Sequence, residues 1–176
     1  MRIAIGNKKR VGKDTCAEYI KKHYFKDDCL VISFSEKLYE IMYNLQDSLG
    51  LERHKDRDML IVLGNMIRRY DNDFFVNIVK QKILDNLDKN IIVTDLRFTN
   101  EASMLKSLGF VCVNISRHHL INAGNNPLEI ISETELDNFV YDYYIKNYGT
   151  LQEFYDKIDS VMSNIIETAK LSLVLN

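Results

Sequence analysis

Five short apolar runs, most of them followed by a polar break and then a helical pattern, constrain the fold of this 176-residue chain more than any other feature. The runs lie at 2–6, 29–34, 91–94, 110–116 and 141–146, and their length and β-branched content predict strands. Between them the apolar spacing turns helical. One helix is predicted over 14–24, and another carries Leu38, Ile41, Met42 and Leu45 behind Ser35 as N-cap. Two more lie within 56–87, broken by the polar turn 70–73, and a further one runs through Ala102–Leu108 and stops at Gly109. A closing helix over 150–169 shows the stripe Leu151, Phe154, Ile158, Val161, Ile165 and Ile166. Alternating strands and helices predict a three-layer α/β fold, a mostly parallel sheet with helices on both faces, as one domain over 1–176. Such sheets bind ligands beyond the carboxyl ends of their strands.

Composition removes several function classes. Hydrophobic residues make up 46% and charged residues 27%, which suits a packed core rather than a disordered chain. No apolar run approaches the roughly 20 residues that span a bilayer, and the first run is too short for a signal peptide. The expected location is therefore the cytoplasm, the host's if the source is viral. A net charge of −2 offers no basic field for a polynucleotide, so small molecules are the expected partners. Cys16, Cys29 and Cys112 lack metal-ligand spacing and read as reduced structural thiols. The oligomeric state stays open, a homodimer included.

The segment Asn7–Thr15, between the first strand and the first helix, has the chemistry of a phosphate-binding loop. Such a loop converges backbone N–H groups and a helix N-terminus on phosphate oxygens and adds a lysine for the β and γ phosphates. Gly12 and Lys13 fall on the GxxxxGK[ST] spacing. The first glycine position holds Asn7, which tolerates positive φ. Lys8, Arg10 and Val11 complete the loop. Asp14 stands where a hydroxyl ligand to magnesium is usual, and Thr15 follows it, so either residue is a candidate for Mg2+. Nucleoside triphosphate binding is the expectation.

The block IAIGNKKRVGKDTCAEYI resembles the phosphate loop of phage-type deoxynucleoside monophosphate kinases, and animal-type phosphomevalonate kinases carry a similar GKD loop. VISFSEKLYEI is similar to that family's second strand and its continuation, with Ser35 and Glu36 in place of Ala and Asp. LGNMIRRYDNDFFV matches its Leu-Gly-Thr-x-x-Arg segment through Arg68, Asp71, Asp73 and Phe75, and VTDLRFTNEASML matches its Asp-Val-Arg-Phe-Pro-Asn-Glu-Ala block through Asp95, Arg97, Phe98, Asn100, Glu101 and Ala102. ISETELDNFVYDYYIKNYGTLQEFYDKI resembles its closing Ser-Glu, Leu-Asp and Asn-x-Gly-Thr-Leu segments, with Ser132 and Glu133 on the Ser-Glu pair. Departures fall at Asn7, Asn65, Thr99 and Ile130, the last where the family has His. The resemblance implies an ATP- and Mg2+-dependent kinase that phosphorylates a deoxynucleoside monophosphate.

Phosphoryl transfer needs positive charge around the transferred group, a metal, and an acceptor held in line. Lys13 is the leading catalytic candidate. Asp95, at a strand's carboxyl end, is a candidate for holding the metal through water or orienting the acceptor, its alternative being a helix N-cap. Arg97 suits a bidentate grip on the acceptor phosphate, or an ion pair with Glu101 four residues on. Arg68 and Arg69 point about 100° apart, and the resemblance selects Arg68, with Glu101, Ser132 and Glu133, for the acceptor. Asp71 and Asp73 read as helix-start residues. Arg117 opens a polar loop, 117–130, containing His118, His119, Gly124 and Pro127, where a lid is expected with Arg117 as its cation. Phe34, Tyr39, Tyr43, Phe74 and Phe75 are candidates for a base-stacking pocket. A small-metabolite kinase and an inactive nucleotide-binding protein are the competing readings.

Overall fold

The computed structural model describes residues 1–26, 28–117 and 132–174. Five strands, β1 (Arg2–Gly6), β2 (Cys29–Ile32), β3 (Asn90–Leu96), β4 (Val111–Ser116) and β5 (Tyr143–Lys146), form one sheet in the order β2-β3-β1-β4-β5. Every strand pair is parallel, so among the described residues the sheet is wholly rather than mostly parallel. That follows from the connections, since parallel neighbours need crossovers long enough to hold a helix.

The helices are α1 (Lys13–Ile20), α2 (Glu36–Ser48), α3 (Arg57–Tyr70), α4 (Phe74–Leu84), α5 (Thr99–Ser107) and α6 (Leu151–Val174). α1 and α6 cover one face, where Cys16, Ile20, Phe154, Ile158 and Met162 pack on Ile3, Ile5, Ile92, Val113 and Ile115. α2 to α5 cover the other, where Met42, Phe75, Ile83 and Leu105 pack on Ala4, Ile32, Ile91, Val93 and Cys112. The central strands alternate between the two cores, which is why β1 and β3 read as continuous apolar runs. Among the described residues no helix is long and apolar enough to cross a membrane. All three cysteines are free, with Cys16 and Cys112 buried.

Element ends depart from the sequence reading for local reasons. β2 stops at Ile32 because the Ser33 hydroxyl and the Phe34 and Ser35 N–H groups are drawn to the Asp95 carboxylate. Ser35 occupies the N-cap position of α2, yet its hydroxyl meets Ser33 Oγ instead of capping the helix. α1 loosens into a π-helical turn over Lys21–Phe25. α6 starts on a capping box, in which Thr150 Oγ1 accepts the Glu153 N–H and Glu153 Oε2 accepts the Thr150 N–H.

Candidate active site

The loop between β1 and α1 has the backbone expected of a phosphate cradle. Asn7, Arg10 and Gly12 all take positive φ, at 98°, 61° and 105°. Asn7 holds its turn with side-chain bonds: Nδ2 donates to Asn114 Oδ1 at 3.0 Å and to the Ile115 carbonyl at 2.9 Å, while Oδ1 accepts the Lys8 N–H. Asparagine here thus replaces glycine's conformational freedom with an anchor onto β4. Asn147, just beyond β5, donates from Nδ2 to the Val11 carbonyl at 2.9 Å and holds the loop from the other side. A Cβ on Gly12 would stand 2.8 Å from that same nitrogen.

Lys13 is buried and turns its ammonium back into the loop, donating to the carbonyls of Asn7 at 2.9 Å and Lys8. Burial, reinforced by the Arg97 charge, lowers it to about 8, against the opposing pull of Glu133, Asp14 and Asp95. A bound phosphate would add countercharge beside an ammonium whose charged form burial disfavours. Asp14 is exposed and Thr15 half-buried on the first turn of α1, beside Lys13.

A bulge in β3 aims Asp95. Ala4 pairs with Val93 and Gly6 with Leu96, so one residue of β1 faces two of β3, Thr94 and Asp95. Leu96 consequently returns to the same core as Val93. The Asp95 carboxylate accepts from Ser33 Oγ at 2.6 Å, Phe34 N at 2.8 Å and Ser35 N at 3.0 Å. It therefore ties β3 to the β2–α2 junction and caps no helix of its own segment.

Arg97 does not pair with Glu101 through its guanidinium; that group meets the Glu133 carboxylate. Glu101 instead accepts the N–H groups of Arg97 at 2.9 Å and Phe98 at 3.1 Å, which locks the start of α5. Glu101 is fully buried, and burial together with the Asp95 charge raises it to about 8, while the Arg97 and Phe98 N–H groups and Arg68 act to lower it. Its other oxygen stands 3.7 Å from the Arg68 guanidinium, which lies 3.9 Å over the Phe98 ring and 4.8 Å from that of Phe75. Arg68 is thus held in a fixed pose, whereas Arg69 is exposed. Asp71 and Asp73 shape the α3–α4 turn, where Asp71 Oδ1 accepts the Asp73 N–H and Asp73 Oδ1 accepts from Asn100.

Two clefts meet at Lys13. One, of about 380 Å³, is lined by Arg10, Gly12, Lys13, Asp14, Thr15 and Arg117 from the loop side and by Asn147, Gly149 and Leu151 opposite. The other, of about 650 Å³, runs from Arg10, Lys13 and Asp14 past Asp95, Arg97 and Ser132 to Arg68 and Glu101. Phe34 and Tyr39 line this second cleft, but Phe34, like Phe75, is buried in the core, and only Tyr39 is partly exposed. Lys8 pairs with Asp137 and Val11 is buried beneath the loop. Asn147, Lys55 and Arg57 were not singled out from sequence. Asn147 sits in the Asn-x-Gly-Thr-Leu segment, the one signal for it; Lys55 and Arg57 carry none. The expected lid lies outside the described residues except for Arg117, which is exposed at the rim of the smaller cleft.

The parallel β2-β3-β1-β4-β5 order, with a phosphate-type loop between β1 and α1, defines a P-loop kinase fold. Similarity to a solved dephospho-CoA kinase from Campylobacter jejuni agrees: the TM-score is 0.58 at 18% identity, covering 96% of this chain and 98% of that one. No protein-family model matches the chain. Among sequence relatives, a protein of Acanthamoeba polyphaga mimivirus named "Putative deoxynucleotide monophosphate kinase" is 30% identical over 107 residues, 58% of this chain and 53% of that protein. "Uncharacterized protein ORF77" of Ictalurid herpesvirus 1 is 30% identical over 116 residues, 64% of this chain and 50% of its own. The chain thus spans about half the length of these two relatives.

Proposed function

We propose that this protein is a nucleotide kinase that transfers the γ-phosphoryl group of ATP to a deoxynucleoside monophosphate. The observation that carries the reading is that Arg10, Lys13 and Asp14 line both clefts at once. A triphosphate seated in the loop from the smaller cleft would present its γ-phosphoryl to an acceptor in the larger one. The mimivirus relative supports the choice of acceptor.

Within this reading each residue has a physical task. Loop N–H groups and Lys13 hold the β and γ phosphates and stabilise charge as it moves between them. Arg117 approaches the donor phosphates from the rim. Arg97 and Arg68 bind and orient the acceptor with Ser132, and Tyr39 offers a ring face to its base. Asp95 keeps Ser33, Phe34 and Ser35 in place as that cleft's wall. Asp14 and Thr15 present hard oxygen donors at the loop's mouth, which fits Mg2+. When bound, the ion would offset phosphate charge. Asp95, whose two oxygens already accept three hydrogen bonds, suits contact through water better than direct ligation.

The test is a coupled assay of purified protein with ATP, Mg2+ and each dNMP and NMP in turn, beside Lys13→Ala. Turnover with at least one dNMP is expected, with a loss of more than about a hundredfold in the variant, because Lys13 faces the charge that develops during transfer. A variant that turns over like wild type refutes the reading. Lys55 and Arg57 add cations to the acceptor cleft, which favours a small phosphorylated metabolite as the second candidate acceptor. Turnover of such a metabolite with no nucleotide accepted would select it.

A further inference from the structure

Cations crowd the lip between the two clefts. Lys9 feels the charges of Arg57, Arg10 and Arg97, and Arg97 also acts on Lys13. Into this group comes a carboxylate, Glu133, whose side chain is only 3% exposed. One oxygen meets the Arg97 guanidinium, and the other accepts the N–H of Lys9 in the phosphate loop at 3.2 Å. Although burial pushes its acidity the other way, Arg97 and the Lys9 N–H hold Glu133 below its ordinary value, so it is ionised at neutral pH. A backbone N–H of a phosphate loop and a guanidinium, with an ammonium near, are the donors that a phosphoryl oxygen recruits.

We propose that Glu133 is an internal stand-in for a substrate phosphate, holding Arg97 and the Lys9 N–H in the ligand-free protein and exchanging them for oxygens of an incoming phosphoryl group. Lys13 is kept in the same way, its ammonium donating to the Asn7 and Lys8 carbonyls. A ligand without an anion cannot offset the loss of the Glu133 contacts, because it offers nothing to replace the charge-assisted pair that the half-buried Arg97 gives up. Glu133 therefore selects phosphorylated acceptors over their unphosphorylated parents. The inference rests on the phosphate-binding reading of the loop and does not need turnover.

The experiment is calorimetric titration of inorganic pyrophosphate into wild type, Glu133→Gln, Arg97→Ala and the double variant, with melting temperatures recorded. Removing the competing charge should tighten binding about tenfold, within the usual range for coupled sites. That gain should shrink below about threefold when Arg97 is absent, since exchange is for its guanidinium. Equal or weaker binding by Glu133→Gln at an unchanged melting temperature would make Glu133 a fixed brace and overturn the proposal. So would an equal gain in both backgrounds, which would mean only a general change in field. If Glu133→Gln does not fold, Glu133→Asp, too short to reach both donors, should show a smaller gain, and weaker binding there overturns the proposal as well. Tighter binding without turnover of any nucleotide leaves the exchange standing and removes the nucleotide-kinase reading; turnover with unchanged pyrophosphate affinity does the reverse.

Discussion

Replacing Gly12 with alanine tests whether the loop is shaped by backbone conformation and by Asn147 together. Gly12 sits at φ 105°, and an L-residue in left-handed backbone costs roughly 1–2 kcal/mol. The new Cβ would also lie 2.8 Å from Asn147 Nδ2, closer than carbon and nitrogen tolerate. Asn147 would have to turn away and lose its bond to the Val11 carbonyl, a further loss of about 0.5–1.5 kcal/mol. Gly12→Ala should therefore destabilise the ligand-free protein by about 2–3 kcal/mol. Urea unfolding at equilibrium measures this, provided the m-value is unchanged. Asn147→Ala removes the obstacle along with the bond, so Gly12→Ala/Asn147→Ala should be less destabilised than the sum of the single variants by about 0.5–1.5 kcal/mol. A Gly12→Ala protein within about 0.5 kcal/mol of wild type, or strict additivity in the pair, would refute the reasoning.

Three other outcomes are expected. Arg97→Ala should raise the acceptor KM or lower kcat much more than it weakens ATP binding, and an ATP-binding defect with normal acceptor kinetics would move Arg97 to the donor side. Arg117→Ala should slow single-turnover transfer if Arg117 brings charge to the donor phosphates, whereas a wild-type rate would place the transition-state cation elsewhere. Glu101 has a folded value near 8, above its unfolded value, so it favours the fold fully below the unfolded value and that contribution is lost as pH rises toward 8. Glu101→Gln, which still accepts the Arg97 and Phe98 N–H groups, should gain stability relative to wild type between pH 5 and 8 in urea titrations. A difference that is flat with pH would show that Glu101 stays ionised.

Strand and helix order was legible because it depends on patterns only a few residues wide. The β1 run followed by Gly12 and Lys13 located the phosphate loop, and the apolar spacing through Leu38 and Met42 and through Phe154 and Ile158 marked faces of the two cores. Positive φ at Asn7 was legible from its place on the loop's first glycine position and from asparagine's tolerance of that region, whereas positive φ at Arg10 was not. The neighbour of each charged group was not legible. Arg97 has Glu101 at helical spacing, but the guanidinium goes to Glu133, 36 residues away, because backbone N–H groups at the start of α5 claim Glu101 first. Asp95 read as a group for the metal or the acceptor, with a helix cap as the alternative, yet the extra residue in β3 turns it toward β2, 60 to 62 positions back.

By itself the sequence determined the layered α/β class and the place of the phosphate loop, since periodicity, turn chemistry and a Gly-Lys pair act within one strand–turn–helix unit. Only the tertiary structure decided that Asn114 and Asn147 pin that loop from β4 and from the end of β5, that Arg68 lies between Phe98 and Phe75, and that Glu133 closes on Arg97 and Lys9. Those contacts join residues far apart in the chain, and they exist because parallel strand order brings the carboxyl ends of β1, β3, β4 and β5 together at one edge, where charges compete for partners that no local window contains.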